Sequence, residues 1–250
     1  MILFFMWVLT GLLNLMQLGT FPKKGPSRHY SEANKVLELG KRMNESEDLN
    51  ETAKMGDEVL NMISNLGGAG ELTKLKEWVA FQKGFSEYNH ASAQLFQSSE
   101  DWFSDAISSK EKIDARIGRL NELAGLNKQN EENYLQLMDK AAELRDKGSL
   151  SQRRFFQGFT SSMERQRLLQ QEVRQCEGGM LEALVGILTI YREEWGKWSE
   201  DEEGTVVFES EAATEKYNKH LKDILVFSEK QAAAQKTILE EGQKKLDQLK

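Results

Sequence analysis

Between Ser31 and Lys250 apolar side chains recur three or four positions apart, the spacing that gathers them on one face of an α-helix. Glu, Gln, Lys and Asn fill most of the positions between them. The clearest stripe is Leu169, Val173, Cys176, Met180, Leu184, Ile187, Tyr191, Trp195 and Trp198, with steps of 4, 3, 4, 4, 3, 4, 4 and 3. This is close to an eleven-residue repeat, which runs nearly straight along a helix instead of winding into a left-handed heptad seam. Punctuation residues divide the pattern into four helices. Ser31 is a good N-cap for the first, which runs to Leu66 and stops at Gly67-Gly68-Ala69-Gly70. The second is read from Glu71 to Lys147 as one stretch, with Gly125-Leu126-Asn127 as a place for a kink. Unbroken, such a helix would be on the order of 115 Å long. Gly148-Ser149 supplies a turn, and the third helix covers Leu150 to Glu200. Glu200-Asp201-Glu202-Glu203-Gly204 breaks the pattern, and a fourth helix fills Glu209 to Lys250. The predicted fold class is all-α, an elongated antiparallel bundle of long, coiled-coil-like helices with a hydrophobic segment at its N-terminus.

Proline use sharpens this picture. At an average of roughly 5%, about eleven prolines would fall between Ser27 and Lys250, and there are none. Helix interiors exclude proline because it lacks a backbone donor and clashes with the preceding turn. The two prolines present, Pro22 and Pro26, mark a hinge over residues 21–30 that also holds Lys23, Lys24 and Arg28. Residues 1–20, before it, carry no charged side chain. At about 1.5 Å per residue they just reach across a ~30 Å hydrocarbon core as a membrane anchor. The basic residues that follow would then keep the helical body, residues 31–250, on the cytosolic side of the membrane. The same segment also reads as an interfacial wedge, because Thr10, Asn14 and Gln17 share one helix face. Its third reading is a cleaved signal peptide, which would make Asn44-Glu45-Ser46 and Asn50-Glu51-Thr52 usable glycosylation sequons.

Charge and chemistry narrow the function classes. The net charge of −7 argues against a nucleic-acid partner. A single cysteine excludes an intrachain disulfide framework and a Cys-based zinc site, and His29, His90 and His220 have no metal-ligand spacing. Glu87-Tyr88-Asn89-His90 is the one Glu-x-x-His match, where a carboxylate-bridged metal bundle needs two. There is no phosphate loop and no nucleophile elbow, so no enzyme, metal or cofactor is expected. One stretch stands apart. Residues 145–174 hold seven basic side chains (Arg145, Lys147, Arg153, Arg154, Arg165, Arg167 and Arg174) against three acidic ones. It covers the turn between the second and third predicted helices and includes Arg153-Arg154-Phe155-Phe156, cations beside aromatics, which suits contact with an anionic lipid surface. The candidate contact residues are Arg145, Lys147, Arg153, Arg154, Phe155, Phe156, Arg165 and Arg167. The alternative is that Phe155, Phe156 and Phe159 open the core stripe of the third helix and the arginines are simply solvated.

Long helices, a basic hairpin end and an apolar N-terminus resemble the Bin/amphiphysin/Rvs (BAR) domain superfamily, most of all its sorting-nexin branch. Ser98-Ser99-Glu100-Asp101-Trp102-Phe103, followed by Arg116-Ile117-Gly118-Arg119-Leu120, looks like the opening of that branch's bundle. Tyr191-Arg192-Glu193-Glu194-Trp195-Gly196-Lys197-Trp198 is similar to its paired aromatics near a helix end. The likeness covers residues 71–250 and lies in helix pattern. No phosphoinositide-binding domain precedes the helices. The resemblance implies a homodimer, or a pairing with a related helical partner, that binds anionic membrane lipids in membrane shaping or trafficking. Two other functions fit the same residues: a membrane-anchored stalk or tether in a larger complex, and an extracytoplasmic sensor or pore-forming bundle.

Overall fold

The computed structural model describes residues 35, 38, 39, 42, 43, 46, 48–65, 70–96, 102–200 and 206–247. The predicted hydrophobic segment at 1–20 and the hinge at 21–30 lie outside the described residues. Helix α1 (Leu49–Asn65) starts where the Asp48 carboxylate accepts from the backbone N–H of Asn50 at 2.9 Å and of Glu51 at 3.0 Å. This cap corrects the single helix predicted from Ser31 to Leu66. Lys35, Glu38, Leu39, Arg42 and Met43 are helical, but Ser46 and Asp48 are not.

The second predicted helix is also several. α2 (Gly70–Thr73), α3 (Lys76–Phe96), α4 (Trp102–Ala106) and α5 (Lys110–Lys147) replace it. Gly125 lies inside an unbroken α5, and the break comes earlier, before Ser109. Ser109 caps α5 by accepting from the Lys112 N–H at 3.2 Å. Arg116 ties the corner together, donating to the Leu95 carbonyl and to Asp105, each at 3.3 Å, while Lys112 reaches the same carboxylate at 2.6 Å. α5 therefore folds back along α3. The third and fourth predicted helices are α6 (Leu150–Glu193) and α7 (Glu211–Asp247). With 38, 44 and 37 residues, α5, α6 and α7 are about 57, 66 and 55 Å long at ~1.5 Å per residue.

Between α6 and α7 the chain makes a small antiparallel hairpin, β1 (Trp198–Glu200) with β2 (Val206–Phe208), pairing Trp198 opposite Phe208. The sequence reading held no strands, since three residues are too few to show a two-residue alternation. Trp198, Phe208 and Tyr217 all pack edge-on or tilted against Tyr191, with ring centroids 5.1, 5.3 and 5.9 Å away. Trp195 and Trp198 are thus half-buried parts of the fold's end.

The helices lie side by side in the order α1, α3, α5, α6, α7. Their apolar faces form two blocks. One, toward the α5–α6 turn, gathers Trp78, Phe81, Phe85, Tyr134, Phe156 and Ile238. The other, toward the hairpin, gathers Ile113, Leu120, Leu188, Tyr191, Phe208 and Tyr217. α7 lies close on α6 because Gly179 and Gly186 leave room for the rings of Phe227 and His220, with which any side chain at either glycine would collide.

Candidate functional site

The α5–α6 turn is tightly built. A Cβ at Gly148 would run into the Leu144 carbonyl oxygen, so the chain turns there without a side chain. Ser149 then caps α6. Its hydroxyl accepts from the Gln152 N–H at 3.4 Å, and the Gln152 side chain accepts from the Ser149 N–H at 2.9 Å. Gln152 also donates to Glu71 at 3.1 Å, which fastens α2 to the start of α6. The apex this creates presents Arg145, Lys147, Leu150, Arg153 and Arg154, all exposed. Arg145 makes a two-pronged ion pair with Asp146, at 2.7 and 3.1 Å, and its hydrogen bonds hold that carboxyl below the usual range. Lys147, Arg153 and Arg154 make no ion pair among the described residues. Leu150, the first residue of α6, is 60% exposed.

The helix itself does not account for all of these cations. Arg145 and Lys147 sit in the last turn of α5, where positive charge complements the helix dipole. Arg153 and Arg154 sit beside the N-terminus of α6, whose first turn has no acidic residue, and there positive charge is unfavourable.

Other candidate residues are not part of the apex. Phe155 and Phe156 are 6% and 0% exposed and pack with Phe159 in the core, at ring distances of 5.0 to 6.3 Å. They are corrected from lipid contacts to core. The basic stretch is not one cluster either. At ~1.5 Å per residue, Arg165, Arg167 and Arg174 stand about 22, 26 and 36 Å along α6 from Leu150. Arg167 is half-buried, and the side chain of Arg165 lies outside the described ones. Arg174 is in the middle of the bundle, ion-paired at 2.7 Å with Glu177, their side chains 10% and 6% exposed.

The remaining chemistry-bearing residues are engaged in packing. His90 turns away from Glu87 to the Asp57 carboxylate of α1 at 2.8 Å, and Cys176 is buried. A cavity of about 20 Å³ lined by Phe81, Asn130, Tyr134, Gln170 and Arg174 has room for about one water. Among the described residues no group of three His, Cys, Asp or Glu could hold a metal ion, and no helix is long and apolar enough to cross a membrane. No known protein family, curated protein or solved structure matches the chain.

Sequence reasoning missed Leu150. The signal was an apolar residue directly after the Ser149 cap, inside the basic stretch and apart from the Phe155-Phe156-Phe159 cluster. It also missed that Asn127 and Asn130 occupy stripe positions of α5 between Leu123 and Tyr134, which marks a buried polar zone.

Proposed function

We propose that this protein is a non-catalytic helical scaffold that docks on anionic membrane surfaces through the α5–α6 apex. One observation carries the proposal: an exposed Leu150 three residues after exposed Lys147 and three and four residues before exposed Arg153 and Arg154, the two arginines lying where they oppose the helix dipole. Exposed cations beside an apolar tip, two of them placed against the helix dipole, suit a headgroup layer, where the leucine enters the acyl boundary and the cations meet phosphates. The long hairpin then holds the rest of the bundle away from the surface. On this reading Phe155 and Phe156 stiffen the tip from inside, and Arg165 and Arg167 take no part. The resemblance to BAR domains adds self-association as a homodimer, or pairing with a related helical partner. The apolar residues 1–20 would add a second hold on the membrane, with the helical body on the cytosolic side.

The test is flotation of the full chain with vesicles of phosphatidylcholine, with and without phosphatidylserine. Each basic residue near an anionic surface contributes roughly 1 kcal/mol, so Arg153→Glu with Arg154→Glu should weaken the serine-dependent part of binding at least tenfold. Helix content and melting should stay unchanged, because exposed charges contribute little to stability. Binding that ignores both phosphatidylserine and the double reversal would refute the proposal.

A further inference from the structure

α7 ends the row of helices and packs on α6 and β2. Its residues Tyr217, Ile224 and Ile238 turn inward, and the opposite face lies in water. Glu215, Lys222, Leu225, Val226, Glu229 and Lys236 are all exposed there. At roughly 3.6 residues per turn these six share an arc of about 100°. Leu225 and Val226, in the middle, are 63% and 39% exposed. The steps between the six are 7, 3, 1, 3 and 7 residues, the same in either direction, and reading them backwards exchanges every acid for a base. We infer that this face docks a second copy of the chain, the two α7 helices running antiparallel about a two-fold axis between Leu225 and Val226.

An antiparallel two-fold pair sets residues equally far on either side of the axis against each other. Lys222 then faces the partner's Glu229, and Glu215 the partner's Lys236, each pair occurring twice. Leu225 and Val226 of both copies meet at the axis and leave water together. Neither Lys222 nor Glu229 has an opposite charge three or four positions away on α7, so neither supports the helix as a local ion pair. A parallel pair in register, or an antiparallel one slid by seven residues, sets Lys222 against Lys222 or Glu229 against Glu229. Glu211 and Glu240, the next charges out on this face, oppose each other about 22 Å from the axis at ~1.5 Å per residue. There, helices crossing at ~20° have separated by several Å, and salt screens the repulsion. The seam from Glu215 to Lys236 is about 32 Å long, small for a specific interface, so the dimer should be a reversible, micromolar one. This face serves the self-association in the proposed function and rests on that part of it, while owing nothing to lipid.

The experiment is sedimentation equilibrium of the full chain from about 1 to 100 µM, in a mild non-ionic detergent without lipid, so its outcome is read separately from that of the flotation. The unaltered chain should form dimers at tens of micromolar. Lys222→Glu sets acid against acid at two places and should weaken the dimer roughly tenfold or more, and Glu229→Lys, which sets base against base, should do the same. Both changes in one chain restore the pairs and should restore the dimer, as should mixing the two single variants. Circular dichroism melts should coincide throughout, because the altered side chains are exposed. An unaltered chain that stays monomeric at the highest concentration would overturn the inference. So would a dimer indifferent to the single reversals, since it would then form elsewhere, as through the apolar residues 1–20. A double swap that fails to associate would also overturn it, because the single losses would then not come from charge pairing across this axis.

Discussion

Phe156→Ala separates a core residue from a membrane-facing one. Phe156 is fully buried, and its ring meets those of Phe155 and Phe159 edge-on at 5.0 and 6.1 Å. A buried phenylalanine removes about 150–250 Å² from water, which at ~25 cal/mol per Å² corresponds to about 4–6 kcal/mol. Alanine keeps part of that, while the two ring contacts and the cavity left behind add to the loss, so the expected cost is about 3–5 kcal/mol. With a urea m-value of about 3 kcal/mol/M for a chain of this size, the unfolding midpoint should fall by about 1–1.7 M. Circular dichroism at 222 nm across a urea series measures it. Leu150→Ala is the matched control. It lies on the same helix five residues from Phe155 and is 60% exposed, so it should move the midpoint by less than about 0.2 M. A loss below 1 kcal/mol for Phe156→Ala, or equal losses for the two variants, would refute the placement of Phe156 in the core.

Two further outcomes follow from particular contacts. Gly148→Ala drives a Cβ into the Leu144 carbonyl, so the turn must open, and a destabilisation of about 1–3 kcal/mol is expected in the same urea assay. Burial, and then the nearby Glu177 carboxylate, push the Tyr88 hydroxyl well above its ordinary value of 10.0. The unfolded chain therefore gives up this proton first, so stability should fall as pH rises past about 10, and Tyr88→Phe should flatten that alkaline slope. Ultraviolet titration of the folded protein at pH 11 should leave Tyr88 un-ionised, and a tyrosinate at this position would contradict its burial.

The helical period was legible in the chain because it is local: a side chain's face depends on its neighbours three and four positions away. That is why α6 starts at the predicted Leu150 and α7 two residues after the predicted Glu209, and why Val173, Cys176, Ile187 and Tyr191 of the predicted stripe are buried. α6 nevertheless ends at Glu193, seven residues short of the predicted Glu200. Short polar interruptions were less legible. Asp48 and Ser109 each begin a helix by accepting only one or two backbone hydrogen bonds, and a capping side chain looks in sequence like any other surface residue. The fate of the charges was decided by the tertiary structure alone. Arg153 and Arg174 belong to one basic stretch in sequence, but the ~1.5 Å rise per residue puts them about 30 Å apart along α6. Docking of α3, α5 and α7 then turned Arg174 and Glu177 into a buried pair and left Arg153, Arg154 and Leu150 in water. Composition counts charges without regard to what packs over them, and burial depends on residues as far away in the chain as Tyr88 and Gln231. The same holds for Phe155 and Phe156, whose place beside two arginines suggested a surface until Phe159 and the neighbouring helices closed over them.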